Sequence, residues 1–222
     1  DNLDLEWALG NALIRAGKTV DGLERVQKVA DQGHNEQAYQ LAADYYLGLT
    51  LFDIAKRDAE AVLRMDPKAS KAYVVLGIVD DYSGNEEDAA RQYEKAVQID
   101  PNDLQARIQL GSALYALRKL TEARQQLDFA LAVDPNAFGA RYELARVEQA
   151  EGNLPAALKD LESVVQQDPN WLQPHVELAA LYYRLKRPND GAREKQIVDR
   201  LRAAEQKRRA QVRIISPHVP PQ

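Results

Sequence analysis

Residues 70–103 read SKAYVVLGIVDDYSGNEEDAARQYEKAVQIDPND, and this stretch decides the fold. Tyr73, Leu76 and Gly77 fall on one face of a helix, at a period near 3.6 rather than 2. Ser83-Gly84-Asn85 is a turn cluster. Asn85 reads as an N-cap, and Glu86, Glu87 and Asp88 then occupy the first turn, where the helix dipole favours carboxylates. A second stripe follows at Ala89, Tyr93, Ala96 and Val97. Asp100-Pro101 ends it, because the residue before a proline is pushed out of the helical region. The stretch is therefore expected to form two antiparallel helices of roughly three to four turns each.

The same unit recurs. Asp-Pro pairs stand at Asp66-Pro67, Asp100-Pro101, Asp134-Pro135 and Asp168-Pro169, with the prolines 34 residues apart each time. Leu76, Leu110, Leu144 and Leu178 form one column; Gly77, Gly111, Ala145 and Ala179 form the next. Ala55, Ala89, Ala123 and Ala157 form a third, and Val62, Ala96, Ala130 and Val164 a fourth. The small columns are expected where the two helices of a unit cross, with Ala89 facing Gly77, since small side chains let axes approach to about 8–10 Å. One unit cannot bury its own apolar face, so neighbours must stack.

These columns resemble the tetratricopeptide repeat pattern, W-x2-L-G-x2-Y…A-x3-F…A…P. The fullest match is Tyr73-x2-Leu76-Gly77…Ala89-x3-Tyr93…Ala96…Pro101, followed by Leu110-Gly111…Ala123-x3-Leu127…Ala130…Pro135. Arg107 and Arg141 stand where Trp or Tyr is usual, and Asp80 where an aromatic is usual. The resemblance implies an all-α fold: a right-handed superhelical solenoid of about six helix-turn-helix repeats with a long C-terminal capping helix. The expected repeats are 3–35, 36–69, 70–103, 104–137, 138–171 and 172–205. They form a single domain over 1–213, whose last helix extends to about 212. A Pro-rich extended tail over 214–222 is expected to pack on the last repeats or in a second copy's groove. Trp7 lies close to Asp1, and the chain does not begin with Met, so it reads as a piece whose upstream repeats were removed.

Composition bounds the function. The 222 residues carry a formal net charge of -5, which argues against nucleic acid or an anionic membrane as a bulk partner. There is no cysteine, so disulfides and thiolate metal sites are excluded, and cytoplasmic and periplasmic or secreted locations are both compatible. No apolar run is long enough for a membrane span. His34, His175 and His218 lack partners at metal-ligand spacing, and no nucleophile or phosphate-loop motif is present. No enzyme activity, metal or cofactor is expected.

The resemblance also implies where a ligand would sit. The first helix of each pair lines a concave groove, and its ligand-facing positions carry over to Asn11, Gln40, Asp44, Val74, Ile78, Tyr82, Ile108, Ser112, Tyr115, Tyr142, Arg146 and Tyr183. Trp7, Val176 and Arg184 occupy such positions as well. Tyr39, Tyr45, Tyr73 and Tyr93 are read as core. For Tyr82, Tyr115, Tyr142 and Tyr183 packing and binding both stand. The Lys/Asn pairs of a carboxylate clamp are missing: Gln40/Asp44, Val74/Ile78, Ile108/Ser112 and Tyr142/Arg146 stand in their place. The implied function is a protein-interaction scaffold. It would hold an extended or helical peptide with apolar anchors, with an acidic residue for Arg146. Two alternatives are a recruiting or regulatory arm of a larger enzyme, such as a glycosyltransferase, and a self-associating module joined through the first repeat or the tail.

Overall fold

The computed structural model describes residues 2–215, with side chains up to residue 207. Among them are twelve α-helices. They are α1 (Leu3–Arg15), α2 (Thr19–Gly33), α3 (Glu36–Gly48), α4 (Phe52–Met65), α5 (Ser70–Tyr82) and α6 (Glu86–Ile99). Then come α7 (Leu104–Ala116), α8 (Leu120–Val133), α9 (Phe138–Glu151), α10 (Leu154–Gln167), α11 (Leu172–Arg184) and α12 (Pro188–Ile215). Taken in order they make six helix-turn-helix pairs, the last ending in a helix of 28 residues. Ile214 and Ile215 belong to α12, so the helix runs past the expected end near 212. The remaining tail, 216–222, lies outside the described residues.

The helices fall into two compact units, divided within α8 between Gln126 and Leu127. In the first unit, each helix packs on the next from α1 to α7, and α5 also touches α3 and α7. Its core holds Val26, Ala30, Ala38, Ala42, Ala59, Val62 and Val75. In the second unit, α9 to α12 pack in succession around Ala145, Ala157, Leu161, Val164, Leu178 and Leu181.

The Asp-Pro turns follow one local plan. Asp66, Asp100, Asp134 and Asp168 each turn a carboxylate Oδ1 onto the backbone N–H two residues on, at 2.8–3.0 Å. The carbonyls of the same residues accept from Ala69, Asp103, Ala137 and Trp171 N–H. Proline at the second position presets the backbone for such a turn.

The turn inside each pair is different. It needs one residue in the left-handed region, and this residue is Gly17, Thr50, Gly84, Arg118, Gly152 or Lys186. Three of the six turns therefore put a side chain where glycine is favoured, and Thr50, at φ 58°, is β-branched as well. Thr50→Gly is expected to raise stability by about 0.5–1 kcal/mol, the left-handed penalty less the entropy that glycine loses on folding. A higher midpoint in urea, read by far-ultraviolet circular dichroism, checks this. Asn85 stands at the N-terminus of α6 as expected, but its side chain makes no capping bond. Among the first helices, caps of that kind come from Asn2, Asn35 and Asp103.

The small column works differently from the expectation. A Cβ at Gly77 would lie 2.4 Å from the Tyr93 ring, so Tyr93, not Ala89, presses on Gly77. Tyr93 is fully buried, and its hydroxyl donates to Asp81 Oδ2 at 2.6 Å. Burial and the carboxylate together push its hydroxyl well above the usual tyrosine range. The equivalent positions sixteen residues apart in the second unit are Ala145 and Leu161, both fully buried in one core cluster.

A second column replaces the usual aromatic. Arg107 donates through Nε to the Pro101 carbonyl at 2.7 Å and through Nη1 to Gln126 Oε1 at 2.7 Å. Arg141 likewise reaches the Pro135 carbonyl at 2.6 Å and Asp160 at 3.4 Å. His175 repeats the arrangement: Nε2 lies 3.1 Å from the Pro169 carbonyl and Nδ1 2.6 Å from Glu194. Each side chain brackets the turn before its helix to the second helix of its pair. Tyr73, one repeat earlier, has only a hydroxyl, which donates to the Pro67 carbonyl at 3.3 Å. Its counterpart on α6, Gln92 Oε1, is left buried without a hydrogen-bond partner. Asp58, at the same position on α4, is fully buried, with Oδ1 held by Arg57 at 2.7 Å and Oδ2 unpartnered. Desolvation raises the Asp58 carboxyl above its ordinary value, against the pull of Arg57.

Candidate functional site

The first unit carries a cavity of about 590 Å³ on the face of α3, α5 and α7. Leu47, Val74, Val75 and Ile78 supply its apolar lining. Asp44 and Lys71 stand at it from α3 and α5, and Asp100, Asp103 and Gln105 from the turn and first residues of α7. Gln40 Nε2 donates to Asp44 Oδ1 at 2.9 Å. Desolvation raises the Asp44 carboxyl above its ordinary value, with Gln40 and then Lys71 pulling the other way.

Of the expected groove residues, Asp44, Val74 and Ile78 share this cavity, and Gln40 joins through Asp44. Val74 is only 6% exposed and serves as its floor. Tyr82, 70% exposed, stacks on Phe52 with ring centroids 4.6 Å apart, so α4 supports it from below. Ile108, Ser112 and Tyr115 follow along α7, half-buried and outside the cavity lining. Asn11 turns back on its own helix, where its Nδ2 donates to the Trp7 carbonyl at 2.9 Å.

In the second unit Tyr142 is buried. Its ring lies 4.6 Å from that of Trp171, and its hydroxyl donates to Glu177 at 2.8 Å. Burial and Glu177 together push that hydroxyl above the usual tyrosine range. Tyr142 is thus a packing residue here. Arg146 meets Glu143 at 2.7 Å and Glu177 at 3.8 Å and lies over the Tyr142 ring, so carboxylates of the chain already compensate its charge. Tyr183 is 48% exposed and covers Gly191, where a Cβ would come within 2.9 Å of its ring. Of the tyrosines read as core, Tyr93 is fully buried, and Tyr39, Tyr45 and Tyr73 are half-buried.

Sequence reasoning missed Leu47, Lys71, Val75, Asp100, Asp103 and Gln105. Lys71 and Gln105 sit second in their first helices and Leu47 twelfth, so the positional rule that found Asp44 could have found them. Asp100 and Asp103 were hidden by their local duties, a turn and a cap, which the sequence explains without a groove.

The repeat family model for the tetratricopeptide repeat matches residues 41–103 and 108–170. The chain belongs to the tetratricopeptide repeat family. Solved structures agree at the level of the fold. PilF of Pseudomonas aeruginosa is 19% identical, covers 83% of this chain and 93% of its own, and superposes with a TM-score of 0.66. MamA from Desulfovibrio magneticus, residues 41 to the end, is also 19% identical, covering 76% and 96% with a TM-score of 0.63. YrrB, described as a tetratricopeptide protein with an unusual peptide-binding site, is 19% identical over 79% and 90%, with a TM-score of 0.58. No curated protein matches the sequence. As a tetratricopeptide array the chain is, in general terms, a scaffold for protein and peptide contacts. Among the described residues no helix is long and apolar enough to cross a membrane, and no cluster of His, Asp and Glu could hold a metal ion.

Proposed function

We propose that the face of α3, α5 and α7 in the first unit binds an extended or helical segment of a partner protein. The cavity of about 590 Å³ beside Val74 and Ile78 carries this reading, because it joins apolar floor and polar rim in a concavity of ligand size. Val74 and Val75 lie on the floor, and the half-buried Ile78 offers surface that an apolar anchor could cover. YrrB, whose description names a peptide-binding site, lends the fold-level analogy. The roles of enzyme arm and self-associating module have no comparable feature behind them, although Leu5 and Leu9 on α1 are exposed.

Random dodecapeptides displayed on phage and selected against the whole chain test the reading. The selected peptides should compete with one another. Ile78→Gln, at a half-buried surface position, should weaken them about tenfold or more while leaving the thermal midpoint within a few degrees. Peptides that bind Ile78→Gln as well as the parent would remove the site from this face. Tyr142→Ala is a poor probe, since it would open the second unit's core.

A further inference from the structure

The cavity sets three carboxylates against one ammonium. Asp44 stands on α3, Lys71 on α5, and Asp100 and Asp103 at the entrance to α7. Each carboxylate has one oxygen in local use. Asp44 accepts from Gln40, Asp100 from Asn102 N–H and Asp103 from Ala106 N–H. Among the described residues none of the three forms an ion pair within 4.0 Å. The apolar strip of Leu47, Val74, Val75 and Ile78 shares the cavity with them, and α5, which carries most of it, touches α3 on one side and α7 on the other. An aliphatic residue seated on α5 would thus have carboxylates close by.

We infer that the segment this groove accepts is basic and aliphatic, with a Lys or Arg placed next to one or two Leu, Ile or Val side chains. This rests on the peptide-binding reading above and adds the chemistry of the partner. An acidic segment would bring like charges together as water leaves, which costs affinity. A wholly apolar segment would strip water from Asp44 and Asp103 and return no hydrogen bond. A cation beside the anchor does the opposite: it meets the free carboxylate oxygens, and its aliphatic stem lies along the strip. Lys71 alone cannot offset three carboxylates, so the groove keeps a formal charge of -2 from its four ionisable lining residues.

Fluorescence anisotropy on the whole chain tests this with three dye-labelled peptides. They share the same leucine and valine residues and differ only in flanks of lysine and arginine, of serine, or of glutamate. The basic peptide should bind about tenfold tighter than the serine one and tighter still than the acidic one at low salt. Raising the salt to 0.5 M should narrow that gap, as screening demands. The double variant Asp44→Asn with Asp103→Asn should cost the basic peptide about tenfold and erase its preference over the serine peptide. Asparagine keeps the cap on α7, so the fold is not put at stake. Equal binding of basic and acidic peptides, or a double variant that still prefers the basic one, overturns the inference. In that case binding still lost in Ile78→Gln shows that the groove itself stands. If no peptide binds, or if Ile78→Gln changes nothing, the groove reading fails first. A salt-sensitive dimer in sedimentation velocity that Asp44→Asn dissolves would assign the face to a second copy and overturn the peptide assignment.

Discussion

Gly77→Ala is expected to cost about 2 kcal/mol, and Tyr93→Leu to remove most of that cost. The added methyl would come 2.4 Å from Cε1 and 2.7 Å from Cδ1 of a ring that has nowhere to go. Tyr93 is fully buried and tethered to Asp81 at 2.6 Å, so either α5 and α6 must separate or the ring must leave its rotamer. Overpacking of this kind costs about 1–3 kcal/mol. Alanine's better helix propensity returns up to about 1 kcal/mol, so the net loss sits inside that range. In a Tyr93→Leu background the clash should disappear; at the equivalent positions of the second unit, Ala145 and Leu161 are both fully buried in one core cluster. Tyr93→Leu alone should destabilise, because it opens space and strips Asp81 of its donor. The two substitutions together should therefore lose less than the sum of the two. A double-mutant cycle in urea should show coupling of about 1.5 kcal/mol or more. Additive effects would mean that Gly77 is small for some other reason.

His175→Leu is expected to be the costliest single change in the bracketing column, at about 2–3 kcal/mol, whereas His175→Arg should stay within about 1 kcal/mol of the parent. The imidazole is 3% exposed and lies between two acceptors, the Pro169 carbonyl and the Glu194 carboxylate. A carbonyl oxygen can only accept, so Nε2 donates to it. Leucine would fill much of the volume but leave both acceptors without a donor in a poorly hydrated site. Arginine offers donors in two directions, as Arg141 does between Pro135 and Asp160 one repeat earlier. Thermal melts followed by tryptophan fluorescence in a Trp7→Phe background suit the test, since the remaining Trp171 packs against Tyr142 within the second unit. Equal melting of the leucine and arginine variants would show that the site needs bulk rather than hydrogen bonds.

Both predictions concern columns visible in the sequence whose function was not. Gly77 and Tyr93 belong to the repeat pattern, but the pattern does not say which large residue meets which small one. The expected partner was Ala89, twelve residues on, and the actual one lies sixteen on, a full helical turn further along α6. In the sequence Arg107 and Arg141 read only as departures from the usual aromatic. They prove to be donors that tie a turn to a second helix, which an aromatic ring cannot do twice over. The candidate site divides in the same way. Asp44, Val74 and Ile78 were legible because they occupy positions that the resemblance to the repeat family marks as ligand-facing, and all three line the cavity. Asp100 and Asp103 were not, because a turn and a cap account fully for their presence in the sequence. Tyr142 and Arg146 occupy ligand-facing positions, yet Trp171, Glu143 and Glu177 absorb them.

The sequence by itself determined the helix pairs, their order and the turns between them. Each of those depends on residues a few places apart: a proline after an aspartate, a glycine inside half of the pairs, an apolar period of 3.6. Only the tertiary structure decided which tyrosines are buried, which buried acceptors lack a donor, and that acidic side chains line the cavity of the first unit. Those outcomes depend on distances between helices 16, 19 or 34 residues apart in the chain, where a shift of an ångström makes a hydrogen bond, a clash or an open surface. The 34-residue pattern is read from columns, while the chemistry comes from what faces each column across the gap.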